Sequence, residues 1–208
     1  MKRVAIMLGL GLMTAMPSWL AAQSVAPETY NHAEVGVYGD YFRFAPNSNS
    51  AVNYVGVGGR LSVNVSAHVA LEAEMNYDFA RNYTTTTTTS TSSTTTTTFT
   101  TTGVRPLTGL FGPKFQIGTS SPIRAFVTGK MGFVNFSYSN PNVVSGTTFT
   151  NSVNGVGGPG THLAFYPGGG LEFFLGPIGI RAEAGDEVYL DNGAYNNLRV
   201  TFGPTIRF

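Results

Sequence analysis

Long polar connections and tight turns alternate along this chain, and that rhythm, laid over a hydrophobic period of two, leaves few folds open. Side chains alternate across a strand, so each apolar stripe marks one face. The first stripe is Val35, Val37, Gly39 and Tyr41, opposed by Glu34, Gly36, Tyr38 and Asp40. Next, Val55, Val57, Leu61 and Val63 oppose Arg60, Ser62 and Asn64; then Leu71, Ala73, Met75, Tyr77 and Phe79 oppose Glu72, Glu74, Asn76 and Asp78. The pattern continues through residues 107–117, 124–138, 163–175 and 178–189, and ends in RVTFGPTIRF at 199–208. Long polar connections (45–53, 81–103, 139–161, 191–196) follow the first, third, fifth and seventh segments. Tight turns (Ser66-Ala67-His68, Thr119-Ser120-Ser121-Pro122, Gly176-Pro177) follow the second, fourth and sixth. A period of two excludes an all-helical reading.

The apolar stripes are about nine to eleven residues long, enough for a tilted strand to cross a bilayer's hydrocarbon. Charged residues make up 11% of the chain, against about 25% in an ordinary soluble domain. That is too little charge to dress a water-facing surface. Lys2 and Arg3 precede an apolar stretch over residues 4–16, then Pro17, Ser18, Trp19 and the small residues Ala21 and Ala22. This is the order of an export signal, and the apolar run falls short of the ~20 residues of a spanning helix. The expected organisation is a signal peptide at 1–22, a periplasmic segment at 23–32 and a barrel at 33–208. The expected fold is all-β, an eight-stranded antiparallel up-and-down transmembrane β-barrel. The absence of cysteine excludes a lipid-anchoring cysteine and disulfides, and a net charge of +1 without a basic cluster gives no reason to expect nucleic acid as a partner.

If the apolar faces meet lipid, the opposite faces meet each other. Arg60, Lys114, Lys130, Arg181 and Arg199 then share the lumen with Asp40, Glu72, Glu74, Asp78, Glu172, Glu183 and Glu187. An eight-stranded barrel is barely wide enough for its own side chains, and buried charges need partners. These twelve residues are expected to form an internal ion-pair plug. Glycines in phase with them, Gly36, Gly58, Gly112, Gly168 and Gly203 among others, make room for Tyr38, Tyr166 and the long charged chains. Glu72 and Glu74 could be drawn as a catalytic dyad, but same-face carboxylates are routine on a polar barrel face.

Other motifs carry little chemistry. Gly155, Gly157 and Gly160 spell G-x-G-x-x-G, but in a polar loop with Pro159 and without the strand and helix that nucleotide binding needs. His32, His68 and His162 have no metal spacing, and Thr161 beside His162 is no convincing nucleophile. The Thr-rich tract at 84–102 is β-branched, which suits a protruding ribbon, and low in complexity, which equally suits disorder.

The strands EVGVYGDYFRF, LTGLFGPKFQIG and GGGLEFFL and the ending NNLRVTFGPTIRF, in that order and after an export signal, resemble the small single-domain outer-membrane β-barrels of the OmpA-like, OmpX-like family. The resemblance covers residues 33–208. It implies residence in the bacterial outer membrane, no enzymatic activity and no cofactor. Phe202, Ile206 and Phe208 look like the family's assembly signal. The partners implied are outer-membrane lipid, the barrel-assembly machinery and periplasmic chaperones during biogenesis, and an extracellular surface ligand. No peptidoglycan-binding domain is expected after the barrel. The function implied is structural and adhesive, through the external loops, around a plugged lumen. A narrow pore and a secreted lipocalin-like binding barrel are the alternatives.

Overall fold

The computed structural model of the chain describes residues 30–47, 50–91, 94–139, 160–191 and 193–208. They form nine strand segments: β1 (Ala33–Asn47), β2 (Ser50–Asn64), β3 (Val69–Asp78), β4 (Arg81–Thr91), β5 (Thr94–Ile117), β6 (Ile123–Tyr138), β7 (Gly160–Leu175), β8 (Ile178–Leu190) and β9 (Ala194–Arg207). β3 and β4 follow one another along a single stave. Every pairing is antiparallel, β1 pairs with β9, and a β3–β5 pairing closes the sheet into an eight-stave barrel. Closure leaves the barrel wall without a free edge. The segment ahead of β1 is tied down, since Asn64 donates its backbone N–H to the His32 carbonyl and the Tyr30 hydroxyl donates to the Val65 carbonyl. The expected signal peptide, 1–22, lies outside the described residues.

Inward and outward positions follow the period of two read from the sequence. β3 alternates without a break, Glu72, Glu74, Asn76 and Asp78 buried between exposed neighbours. Three ladders are interrupted beside a proline, which has no N–H to donate. β1–β9 skips from Gly36↔Thr205 to Gly39↔Phe202 at Pro204; β5–β6 skips from Phe111↔Met131 to Lys114↔Thr128 at Pro113; β7–β8 skips from Phe165↔Val188 to Gly168↔Gly185 at Pro167. At the first of these the backbones come very close. A Cβ on Gly203 would lie 2.2 Å from the Val37 carbonyl oxygen and 2.5 Å from the Tyr38 Cα. Gly203→Ala is therefore expected to destabilise the folded barrel by about 1–3 kcal/mol, read as a lower urea midpoint in lipid vesicles. An unchanged midpoint would show that the seam relaxes freely.

The turns fall where expected, at 65–68, 118–122 and 176–177. Two connections at the opposite end differ from the sequence reading, and a third takes one of the two forms it left open. The loop expected at 45–53 is largely strand, because β1 runs to Asn47 and β2 starts at Ser50, with a register shift between Phe44 and Asn47. In the loop expected at 191–196, β9 already begins at Ala194. The stretch 81–103 is a two-stranded ribbon, paired from Arg81↔Val104 to Thr91↔Thr94. Polarity misled the reading of the first two, where Asn and Ser read as loop, yet a strand above the barrel has no apolar face to fill; the ribbon is one of the two forms that the Thr-rich tract left open. Of the connection expected at 139–161, residues 140–159 lie outside the described residues.

Candidate functional site

The barrel interior is layered. Nearest the short turns, the Lys114 ammonium donates to Glu34 at 2.8 Å and to Glu172 at 2.9 Å, and Arg124 reaches Glu34 at 3.5 Å. In the next layer Lys130 Nζ sits 2.6, 2.7 and 3.0 Å from Glu72, Glu74 and Glu183. Arg181 Nη1 lies 2.6 Å from Glu72 and 3.1 Å from Glu172, while Arg60 joins Glu74 at 3.1 Å and Glu183 at 2.9 Å. Higher still, Arg199 alone meets Asp40, Asp78 (3.4 Å) and Glu187 (2.6 Å), and the Thr108 hydroxyl donates to Glu187. Aromatic faces wall in the cations: Arg181 lies 4.0 Å from the Phe126 ring centre, Arg60 4.5 Å from Tyr38 and Arg199 4.5 Å from Phe42. Such contacts stabilise a cation already stripped of water.

All twelve expected lumen residues, Asp40, Arg60, Glu72, Glu74, Asp78, Lys114, Lys130, Glu172, Arg181, Glu183, Glu187 and Arg199, are buried and take part in these ion pairs. Glu34 and Arg124 belong to the network as well and were missed. Their inward phase was readable, since Glu34 precedes Gly36 and Asp40 by even steps and Arg124 precedes Lys130 likewise. Tyr38 lies against Gly58, where a Cβ would come 2.2 Å from its ring, and its hydroxyl donates to Asn76 at 2.6 Å. Glu72, Glu74 and Glu183 approach one another closely enough to cage a metal ion. The Lys130 ammonium fills that role, bonded to all three. The same contacts occupy the Glu72 and Glu74 carboxylates that a catalytic dyad would need free.

Beyond Arg199 the interior turns apolar, which the sequence reading did not anticipate. Phe42, Phe44, Tyr54, Phe136, Tyr166 and Tyr189 form a buried cluster, with Phe44 and Phe136 ring centres 5.2 Å apart and Tyr189 stacked on Tyr195 at 5.2 Å. The signal was present in phase, because Phe42 and Phe44 continue the even-numbered face of β1. His162 packs 5.9 Å from Tyr189, and the Thr161 hydroxyl accepts from Asn135 at 2.7 Å, so neither is set up as a catalytic pair. Gly160 of the glycine motif opens β7; Gly155 and Gly157 lie outside the described residues. Outside, the wall is aliphatic and aromatic from turn to turn, and Phe202, Ile206 and Phe208 of the expected assembly signal all point outward.

No family model and no curated sequence matches the chain. Solved structures do. Ail, the attachment invasion locus protein of Yersinia pestis, solved in complex with the heparin analogue sucrose octasulfate, superposes with a TM-score of 0.54 at 13% identity over 86% of this chain and 99% of its own. Neisserial surface protein A superposes with a TM-score of 0.59 at 8% identity, over 85% and 97% of the two chains. At such identities the likeness is one of backbone, and it agrees with a closed eight-stave barrel. The chain has the fold of the small eight-stranded outer-membrane β-barrels of the OmpA/OmpX type.

Proposed function

We propose that this chain is a non-enzymatic barrel of the bacterial outer membrane that makes adhesive contacts at its outer end and does not conduct through its lumen. The observation that carries the contact role is the ribbon. β4 pairs with β5 alone, and residues 94–102 of β5 pair with β4 alone, so both ribbon edges are open among the described residues. Nine paired positions, Tyr83↔Thr102 to Thr91↔Thr94, at ~3.4 Å each carry it roughly 30 Å beyond the barrel wall. Open edges add strands from a partner, and nothing here blunts them, since 84–102 contains no charge and no proline. Ail's sucrose octasulfate is a polyanion, whereas this neutral tract suits main-chain pairing with an extended segment. The closed lumen is supported by the ion-pair layers and the aromatic cluster stacked on them.

Removing residues 84–102 is expected to abolish binding of bacteria to a protein-coated surface while leaving barrel folding intact. Shortening a loop changes closure entropy by only about 0.6 kcal/mol per halving, so the heat-modifiable gel shift of the folded barrel should persist. Undiminished binding by the deletion variant would remove the ribbon from the contact. A steady conductance in planar bilayers, lost on Lys114→Met or Glu72→Gln, would favour a pore instead.

A further inference from the structure

The two edges of the ribbon are not equivalent. On the β5 side, Ser139 at the end of β6 donates its backbone N–H to the Gly103 carbonyl, and its hydroxyl accepts from the Gly103 N–H at 2.7 Å. The connection that begins at 140 therefore leaves the barrel on that side. On the β4 side, β2 bonds last to Phe79, through the Val55 carbonyl, and β4 itself pairs with β5 alone. Residues 84–90 of β4 thus present a row of main-chain N–H and C=O groups with no partner strand among the described residues.

The sequence makes that edge complementary to itself. Residues 84–91 are all threonine except Ser90, and the tract 84–102 holds no charge, no proline and no glycine. Segments of that composition stack on copies of themselves. Nothing repels a second copy, Thr opposite Thr is a favourable cross-strand pair, and a slip of register costs nothing where both faces carry the same side chain. A ladder over residues 84–90 makes about seven main-chain bonds, within the roughly 5–15 of a typical protein interface. A lone two-stranded ribbon in water is only marginally stable, so edge-to-edge pairing stabilises both partners.

Geometry decides where the second copy stands. Two ribbons side by side lie about 10 Å apart at ~4.8 Å per strand, whereas an eight-stave wall tilted by ~40° is roughly 16 Å across at its backbone. Barrels in one membrane would collide before their ribbons met along their length; barrels in facing membranes do not. β4 runs from Arg81 at the wall to Thr91 at the far end, so two β4 strands from facing membranes run in opposite directions, as an antiparallel ladder requires.

We propose that β4 of one molecule pairs antiparallel with β4 of a second copy in a facing membrane, joining cell to cell about a two-fold axis; this rests on the reading of the ribbon as the contact surface. The pairing is isologous and closes on two molecules.

The test folds the full-length protein into two sets of lipid vesicles, carrying donor and acceptor lipid dyes, and reads energy transfer on mixing. Transfer is expected only when both sets carry the protein. Thr88 and Ser90 are exposed and share one face of β4. Thr88→Lys with Ser90→Lys on both sets is expected to abolish transfer by repulsion across the ladder, and so is the matching Glu pair. Mixing the Lys set with the Glu set is expected to restore it. The heat-modifiable gel shift, unchanged in both variants, shows that the barrel is folded. Undiminished transfer in the Lys variant would overturn the β4 edge, and a Lys–Glu mixture that stays apart would overturn direct pairing. Transfer to protein-free vesicles would overturn the second copy in favour of a lipid surface. Wild-type vesicles that stay apart yet bind a protein-coated surface would overturn the second copy alone; vesicles that do neither would overturn the contact role of the ribbon as well.

Discussion

Arg199→Met is expected to destabilise the folded barrel by about 3–5 kcal/mol, because it leaves a buried set of carboxylates without their cation. Asp40, Asp78 and Glu187 all pair with Arg199, and all four side chains are buried. Among the described residues, six buried cations (Arg60, Lys114, Arg124, Lys130, Arg181, Arg199) face eight buried carboxylates, so no neighbour has charge to spare. The nearest cationic layer, around Lys130 and Arg60, is already committed to Glu72, Glu74 and Glu183. Methionine would fill part of the volume, and Thr108 would lose the guanidinium that donates to it at 3.1 Å. Arg43→Met, on the exposed face of β1, is the control and should change stability by no more than about 0.5 kcal/mol. Urea titration in lipid vesicles, followed by the gel shift of the folded form, reads both. Equal midpoints for the two variants would mean that water reaches the Arg199 layer and screens it.

The barrel itself was legible because one physical fact, alternation of side chains across a strand, was written eight times. Glu72, Glu74 and Asp78 fall inward for the same reason that Leu71, Met75 and Tyr77 fall outward, and no tertiary information is needed to sort them. The partners were not legible. Lys130 on β6 reaches Glu74 on β3 and Glu183 on β8, contacts set by strand tilt and register around the closed wall rather than by spacing in sequence. The aromatic cluster was hidden by the assumption that the inside is uniformly polar. Phe42 and Phe44 have the inward phase, but a large apolar residue reads as lipid-facing, although beyond the charged layers the interior is an ordinary hydrophobic core. Threonine left two readings open, ribbon and disorder. Repetition erases the amphipathic signal, although β-branching alone favours the extended backbone that β4 and β5 adopt.

Phe111→Arg is expected to cost about 2–4 kcal/mol in a bilayer, whereas Ile117→Arg on the same face of the same strand should cost only about 0–1 kcal/mol. Phe111 pairs with Ala73 on one side and Met131 on the other, halfway along the outward apolar belt. Ile117 is the last residue of β5, next to a short turn and the headgroup region. Both side chains are exposed on the outer wall, at 54% and 68%. In water neither substitution buries a charge, and the two should be equally mild. In lipid the cost scales with depth, because an arginine at the midplane must drag water or headgroups toward it while one at the boundary extends into them. Folding both variants into vesicles and comparing urea midpoints therefore measures where the belt sits, independently of anything inside the barrel. Equal costs at the two positions would contradict a membrane-spanning wall and return the chain to a secreted barrel with an apolar surface still to be covered.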